Sequence, residues 1–466
     1  MTENKTYWER VIQLQKQRVH APVSDKEAYR LRKDRLERLK NMIENHVEEW
    51  LEALYQDLKK PPTEAYVSEL MVLLNELDAQ LDQLKMWMKP VKQHHVHLAS
   101  QATVTLERLP YGSVLILAPW NYPLQLSLIP LAGALAAGNA CVLKPSESAP
   151  AVSRLLAKRI AEVFDPTEVL VVEGEADTSR QLVACEWDHI FFTGSPEIGR
   201  QVYASAAERL IPVTLELGGK NPCIVDESGC TTANIRKILW GKFLNAGQTC
   251  VAPDTVYVQA DQYEHFLAQS KQILQEFYGI NPIDSADYGR IIHDRHFDKL
   301  TEYLEDGTVY YGGRGKKEAL FFEPTLLVDP VENSLVRTEE IFGPVLVVLP
   351  YTHLEEVVLE LADQPAPLVS YVFTEDRVTA EYLYRTLKSG AISRNQVVFQ
   401  AARADIPFGG VGESGFGRYH GKASFDTFTY VRPLYEEKAP FPLKEGYPPY
   451  RPNQWQMLQK IRKWLF

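Results

Sequence analysis

Residues 114–144 read VLILAPWNYPLQLSLIPLAGALAAGNACVLK, the most apolar stretch of the chain. Its length invites comparison with a membrane span, but Pro119, Asn121, Pro123 and Pro130 interrupt it, and proline removes backbone donors that an unbroken spanning helix would use. Buried strands at 114–118 and 140–144 with loop and helical chain between them fit the pattern better. Further short apolar runs at 169–173, 189–193 and 213–217 alternate with helical segments. That rhythm predicts a parallel sheet with crossover helices. A second set follows from Pro222 to about Ile406, with strands expected at 255–259, 345–349 and 370–374. It predicts a second α/β domain, with a boundary near Leu217 that no low-complexity linker marks.

Upstream, 27–89 is rich in Leu, Glu, Lys and Ala, with Leu36, Leu39, Ile43, Val47 and Leu51 at helical spacing. This region is read as helices. Across 96–109, Val104 and Leu106 alternate with Thr103, Thr105 and Glu107, the period of a strand or hairpin, and an oligomerisation arm is expected near 91–109. The proline-rich tail after Pro433 is expected to wrap a surface.

A chain of 466 residues exceeds what one core usually organises, so two domains of roughly 200 residues each are expected. The formal charge of -11 argues against a nucleic-acid partner, because phosphate binding needs a concentrated basic surface. A small-molecule partner is expected instead. No apolar stretch follows the mixed charges of Met1 to Arg10, so no secretory signal is expected and the cytoplasm is the expected compartment. The five cysteines form no C-x-x-C pair and are read as free thiols. His94, His95 and His97 lack accompanying acids and are read as a solvated strand edge; no metal is expected.

Several short motifs carry possible chemistry. Gly410-Val411-Gly412-Glu413-Ser414-Gly415 matches G-x-G-x-x-G by letter, but Pro407 precedes it and too little chain follows for a dinucleotide-binding unit. A structural loop lining an active site is the better reading. Phe192-Thr193-Gly194-Ser195-Pro196-Glu197-Ile198-Gly199-Arg200 instead follows a strand and opens a helix. Gly194 would permit a tight turn and Ser195 could donate to a phosphate at the helix start. A plain capped helix start explains this segment about equally well. Lys144-Pro145-Ser146-Glu147 lies at a strand's carboxyl end, where open α/β sheets bind ligands, and both charged groups can bond ribose hydroxyls. By itself, a capped helix start with a surface lysine explains it more simply.

Cys250 ends Asn245-Ala246-Gly247-Gln248-Thr249-Cys250, and a lone cysteine is usually inert core. Glu216, in Glu216-Leu217-Gly218-Gly219-Lys220, is a carboxylate at the end of an apolar strand, a position that faces ligand crevices but more often holds a salt-bridge partner. Asn121, framed by Pro119 and Pro123, is an amide directly after a strand. It can serve as an oxyanion donor or as a turn residue.

Taken jointly, 119–123, 144–147, 193–199, 216–220, 247–250, 339–344 and 407–410 occur in the order of the aldehyde dehydrogenase superfamily, which the chain resembles along nearly its whole length. The segments 54–59, 64–69, 84–90 and 395–400 resemble the class 3 branch in particular. Arg394 departs from the small or apolar residue expected before Asn395, which bears on substrate preference, and no long hydrophobic carboxy-terminal anchor of the kind some class 3 members carry is expected.

The resemblance implies an α/β fold with a Rossmann-like cofactor-binding domain over 1–216, a second α/β catalytic domain over 217–413, and a carboxy-terminal arm and tail over 414–466. It implies Cys250 as nucleophile, Asn121 and the Cys250 N–H as oxyanion donors, and Glu216 as the base that activates water. Lys144 and Glu147 would hold the adenosine ribose, Ser195 the pyrophosphate, and Glu340 the nicotinamide ribose, with Phe342 beside it. Trp120, Gly194, Gly199, Leu217 and Gly218 would complete the cofactor site. Glu147 suits the free ribose hydroxyl of NAD, while class 3 relatives also accept NADP. Medium- or long-chain aliphatic or aromatic aldehydes and a homodimer are the implied substrate and assembly.

Two other chemistries compete. A coenzyme A-acylating dehydrogenase would commonly lack Glu216, and a non-redox cysteine hydrolase would leave Lys144, Glu147 and Glu340 without a purpose. The carboxy-terminal stretch 454–466 spaces Trp455, Leu458, Ile461 and Leu465 helically, with Lys460, Arg462 and Lys463 adding charge. It is read as an amphipathic helix that docks on the protein's own surface or a dimer partner, with peripheral membrane contact as the competing reading.

Overall fold

The computed structural model describes residues 2–93, 103–436 and 448–465. The apolar run becomes the strand Ser113–Leu117, the helix Gln125–Ala137 and the strand Ala140–Lys144. Every residue from Leu126 to Ala137 is buried, because a helix that is apolar on all sides is stable only inside a core. Gly138, at φ 98°, closes that helix in the left-handed conformation that glycine adopts without a Cβ penalty.

These strands belong to a six-stranded sheet ordered Gly415–Phe416, Val213–Leu217, His189–Gly194, Ser113–Leu117, Ala140–Lys144, Val169–Val171. Five run parallel, and Gly415–Phe416 is antiparallel at the edge. The second sheet has seven strands, ordered Thr308–Tyr311, Thr325–Val328, Val345–Tyr351, Thr255–Gln259, Pro222–Val225, Val369–Phe373, Ala391–Arg394. Only the first is antiparallel to its neighbour. Two mostly parallel sheets with helices on their faces give the α/β architecture expected.

A third sheet joins Val91–Gln93, Thr103–Pro110 and Thr429–Glu436 antiparallel. The arm is therefore completed by a late segment, and the strand runs on through Pro433 to Glu436 where a surface-wrapping tail was expected to begin. Among the described residues this strand lies at the sheet edge, where proline is tolerated. The segment after Ser414 likewise returns to the first sheet before reaching the arm: Gly415 and Phe416 pair with Glu216 and Leu215. The following helix, Gly421–Thr427, presses on Gln125–Ala137 so closely that a Cβ on Gly133 would lie 2.6 Å from the Ser424 Cβ.

At the amino end, helices span Thr2–Val19, Asp25–Glu44, Val47–Leu58 and Met71–Trp87, with Pro62–Ala65 and a π-helical turn at Tyr66–Leu70 before the last. Residues 94–102 and 437–447, including His94, His95 and His97, lie outside the described residues. Among the described residues, no His, Cys, Asp and Glu cluster could hold a metal, and no helix is long and apolar enough to cross a membrane. The carboxy-terminal helix forms as Gln454–Leu465. Trp455 is 62% exposed on it, so docking of that residue on the protein's own surface is not what the single chain adopts.

Candidate active site

After the helix Thr232–Phe243 the chain passes through Asn245 and Ala246, at φ 54° and 52°, and Gly247, at φ 76°, before it reaches Cys250. Left-handed non-glycine residues are uncommon and persist only where surroundings hold them. Here the hold is visible. Asn245 Nδ2 donates to the Asn121 carbonyl at 2.8 Å and the Gln248 carbonyl at 3.1 Å, and the Asn245 N–H donates to Glu64 Oε1 at 2.9 Å. Gln248 Nε2 donates to the Asn245 and Arg290 carbonyls, while its Oε1 accepts from the Ile292 N–H. A Cβ at Gly247 would lie 2.2 Å from the Gly343 carbonyl oxygen, so only glycine lets the thiol loop touch the segment that carries Glu340 and Phe342.

Burial, followed by the nearby charges of Glu340 and Glu216, pushes the Cys250 thiol up to about 12, against the pull of the Cys250 and Val251 backbone N–H groups. Backbone N–H groups that donate to a sulfur favour its anion. Asn121, 3% exposed, donates its side-chain amide to the Gln248 carbonyl at 3.1 Å, which leaves the second amide hydrogen for another acceptor beside the thiol loop. Glu216 is also 3% exposed, and neither carboxylate oxygen has a hydrogen-bond partner among the described residues. Burial raises its carboxyl well above the ordinary range, opposed by the charge of Arg418.

The G-x-G-x-x-G match proves to be part of this wall. Gly415 pairs with Glu216, and a Cβ on the preceding Gly409 would lie 2.9 Å from Glu216 Oε1.

Several of the residues read for a cofactor meet in pairs. Lys144, 2% exposed at its strand's carboxyl end, meets Glu147 Oε2 at 2.5 Å. Ser195 caps the helix Pro196–Ala207, its Oγ accepting from the Ile198 N–H at 3.4 Å, so the capped helix start is realised and the hydroxyl proton remains available. Gly194 and Gly199 are explained by packing, since a Cβ there would fall 2.6 Å from Phe192 and 2.7 Å from the buried Leu217. A Cβ on Gly218 would sit 1.9 Å from Glu340 Oε2. Burial and the charge of Asp254 push Glu340 to about 8, against the Gly219 N–H and the charges of Lys242 and Lys220. Trp120 meets Phe342 edge-on at 5.5 Å. A strand-end lysine and carboxylate, a helix start with a free hydroxyl proton, and a carboxylate reached across Gly218 fit the ribose and phosphate groups of a dinucleotide.

A cavity of about 570 Å³ opens from Cys250 and is mostly apolar, with Met71, Leu126, Trp240, Phe277 and Phe399 in its wall and Glu64 among its few polar groups. Arg394 does not line it; its Nε donates to the Thr374 carbonyl at 3.0 Å, so this departure from the class 3 pattern serves the end of a strand. Motif reading missed Asn221, 1% exposed, whose amide donates to the Cys250 carbonyl at 2.7 Å and the Ala252 carbonyl at 3.0 Å. It also missed Gln248, Lys60 and Glu69. Glycine placement near Cys250 signalled a tight loop, but nothing in the sequence signalled which polar side chains brace it.

The family model described as "Aldehyde dehydrogenase family" matches residues 15–434. The chain is 47% identical to the 4,4'-diapolycopene-4,4'-dial dehydrogenase of Cytobacillus firmus, over 86% of this chain and 88% of that one. It is 40% identical to aldehyde dehydrogenase family 3 member H1 of Arabidopsis thaliana, over 93% and 90% of the two chains. The solved structure of the substrate-bound state of Staphylococcus aureus AldH superposes with a TM-score of 0.92 at 36% identity, covering 99% of each chain. The chain therefore belongs to the aldehyde dehydrogenase family, class 3-like within it, and its reaction is the NAD(P)-dependent oxidation of aldehydes.

Proposed function

We propose that this enzyme oxidises extended apolar aldehydes, with Cys250 as nucleophile, Asn121 and the Cys250 N–H as oxyanion donors, Glu216 as base, and NAD as the preferred acceptor. The observation that carries the reading is the position of the Cys250 thiol in the wall of an apolar cavity of about 570 Å³, close enough to Glu216 to feel its charge. Cys250 Sγ, as the thiolate, attacks the carbonyl carbon, and the developing oxyanion takes a hydrogen bond from Asn121 Nδ2. A bound nicotinamide would supply the hydride acceptor that the oxidation needs, and Cys250 would then carry the acyl group as a thioester. Glu216 then takes a proton from water as that water attacks the thioester, and collapse of the adduct expels the Cys250 thiolate and releases the carboxylic acid, the proton staying on Glu216.

Lys144 and Glu147 would hold the adenosine ribose, and the Glu147 carboxylate would disfavour a phosphate there, which supports NAD over NADP. Glu340, across Gly218, takes the nicotinamide ribose. The few charges in the cavity wall support an apolar chain, and the name of the Cytobacillus firmus relative specifies a dial, which extends the reading to long dialdehydes. The arm strand Thr429–Glu436 exposes the apolar side chains Val431 and Leu434; this supports a homodimer built through the arm.

The test is an aldehyde panel of graded chain length, followed by absorbance of reduced cofactor with NAD and NADP separately, alongside Cys250→Ala. Catalytic efficiency is expected to rise with chain length and to be higher with NAD, and Cys250→Ala is expected to bind cofactor without turnover. Turnover by Cys250→Ala would overturn the nucleophile, and a preference for short polar aldehydes would overturn the substrate class.

A further inference from the structure

Lys60 and Glu69 are both 0% exposed, and their charged ends meet at 2.6 Å in the interior of the protein. Burying two charges carries a desolvation cost that an ion pair frequently fails to recover, so such a pair is weak as a stabilising device. What it touches is more informative. Lys60 Nζ donates to the Asn121 carbonyl at 3.3 Å and lies 4.1 Å from the centre of the Tyr122 ring. Glu69 Oε2 accepts from the Leu124 N–H at 2.9 Å and the Gln125 N–H at 3.2 Å. These are free donors at the start of the helix Gln125–Ala137, whose first residue has no side-chain cap from Leu124. One ion pair thus grips both ends of the segment 121–125.

Glu69 reaches this place from the π-helical turn Tyr66–Leu70, a widened turn that is rare and recurs at functional sites. From the gripped segment, two side chains cross to the thiol loop. Asn121 Nδ2 donates to the Gln248 carbonyl at 3.1 Å, and the Tyr122 hydroxyl meets Thr249 Oγ1 at 2.7 Å. Asn245 Nδ2 returns to the Asn121 carbonyl at 2.8 Å, the same oxygen that Lys60 holds.

We infer that the buried Lys60–Glu69 pair is a positioning device for the oxidation reaction, fixing the 121–125 segment so that Asn121 presents its amide to the oxyanion formed at Cys250. The inference rests on the proposed role of Asn121, and the experiment separates the two.

The variant that removes both charges while keeping volume is Lys60→Met with Glu69→Gln, measured in the wild-type and Asn121→Ala backgrounds. The readouts are the pre-steady-state burst of reduced cofactor at saturating aldehyde, KM, and the melting temperature. With Asn121 present, the burst rate constant should fall about 10-fold, a fraction of the roughly 10²- to 10³-fold loss on removing an oxyanion donor, with KM little changed. In the Asn121→Ala background the same change should cost less than about twofold, because the group it positions is already gone. Equal losses in both backgrounds, or an unchanged burst in the first, would overturn the inference. If Asn121→Ala alone leaves the burst unaltered, the role of Asn121 fails instead, and the positioning inference falls with it. Lys60→Gln, which retains an N–H donor without the charge, carries the same comparison should the double variant not fold.

Discussion

Gly415 lies directly opposite Glu216 in an antiparallel pairing that joins the late part of the chain to the first sheet. With Gly409, it places the buried carboxylate beside backbone that carries no side chain, and a Cβ at Gly409 would come within 2.9 Å of Glu216 Oε1 and 2.5 Å of the Gly417 carbonyl oxygen. Gly409→Ala should therefore displace the proposed base and spare the thiol. The expected result in stopped-flow absorbance is a full burst of reduced cofactor followed by steady turnover slowed at least about 10-fold, part of the roughly 10²- to 10⁴-fold that a positioned general base contributes. Slowing of burst and steady rate by the same factor would show that the glycine supports something other than deacylation.

Asn121→Ala should lower the burst rate constant by roughly 10²-fold or more, the usual size for one oxyanion donor. Loss confined to KM would reassign Asn121 to substrate binding. The same substitution removes the amide that bonds the Gln248 carbonyl, so the melting temperature should be measured beside the kinetics.

The pH dependence has a definite sign. Burial pushes the Cys250 thiol up to about 12 and holds the Glu216 carboxyl well above its ordinary range, and both act in their deprotonated forms. The kcat/KM of the wild type should therefore rise from neutral into alkaline pH. In Glu216→Gln the thiol feels one carboxylate fewer, so the limb assigned to Cys250 in the burst phase should move to lower pH. A profile that falls above neutrality, with the protein still folded, would contradict both assignments.

Glu216 should also cost stability. Its folded-state pKa is raised above that of the unfolded chain, so the folded state binds the proton more tightly. The associated stability is fully present below the unfolded carboxyl range and is lost as pH rises toward the folded value. Glu216→Met, which keeps the length and removes the buried charge, should melt at higher temperature than wild type, with a gap that widens with pH. The gain at alkaline pH should be about 1 to 3 kcal/mol, the penalty of a buried unsatisfied polar group. A constant gap between pH 5 and pH 9 would mean that Glu216 does not titrate as the structure implies.

Much of the fold was legible in the order of the residues. The strands Ala140–Lys144, Val213–Leu217 and Thr255–Gln259 have the bounds that their apolar runs predicted, because strands buried on both faces read as continuous hydrophobic segments. Pro222–Val225 and Ala391–Arg394 were not legible; each is four residues long, one opens on proline, and their place comes from neighbouring strands. Cys250, Glu216 and Asn121 were legible as candidates because motif order survives without coordinates. The contacts that the motifs could not show are those across the fold: the loop Gly410 to Gly415 already read as a structural loop, but its pairing with Glu216, the use of Arg394 at a strand end and the reach of Lys60 and Glu69 to the segment around Asn121 depend on tertiary structure. The physical reason is that burial and hydrogen-bond partnership are properties of contacts between distant segments: Glu216 owes its environment to Gly409 and Gly415, and no local pattern around Glu216 contains them.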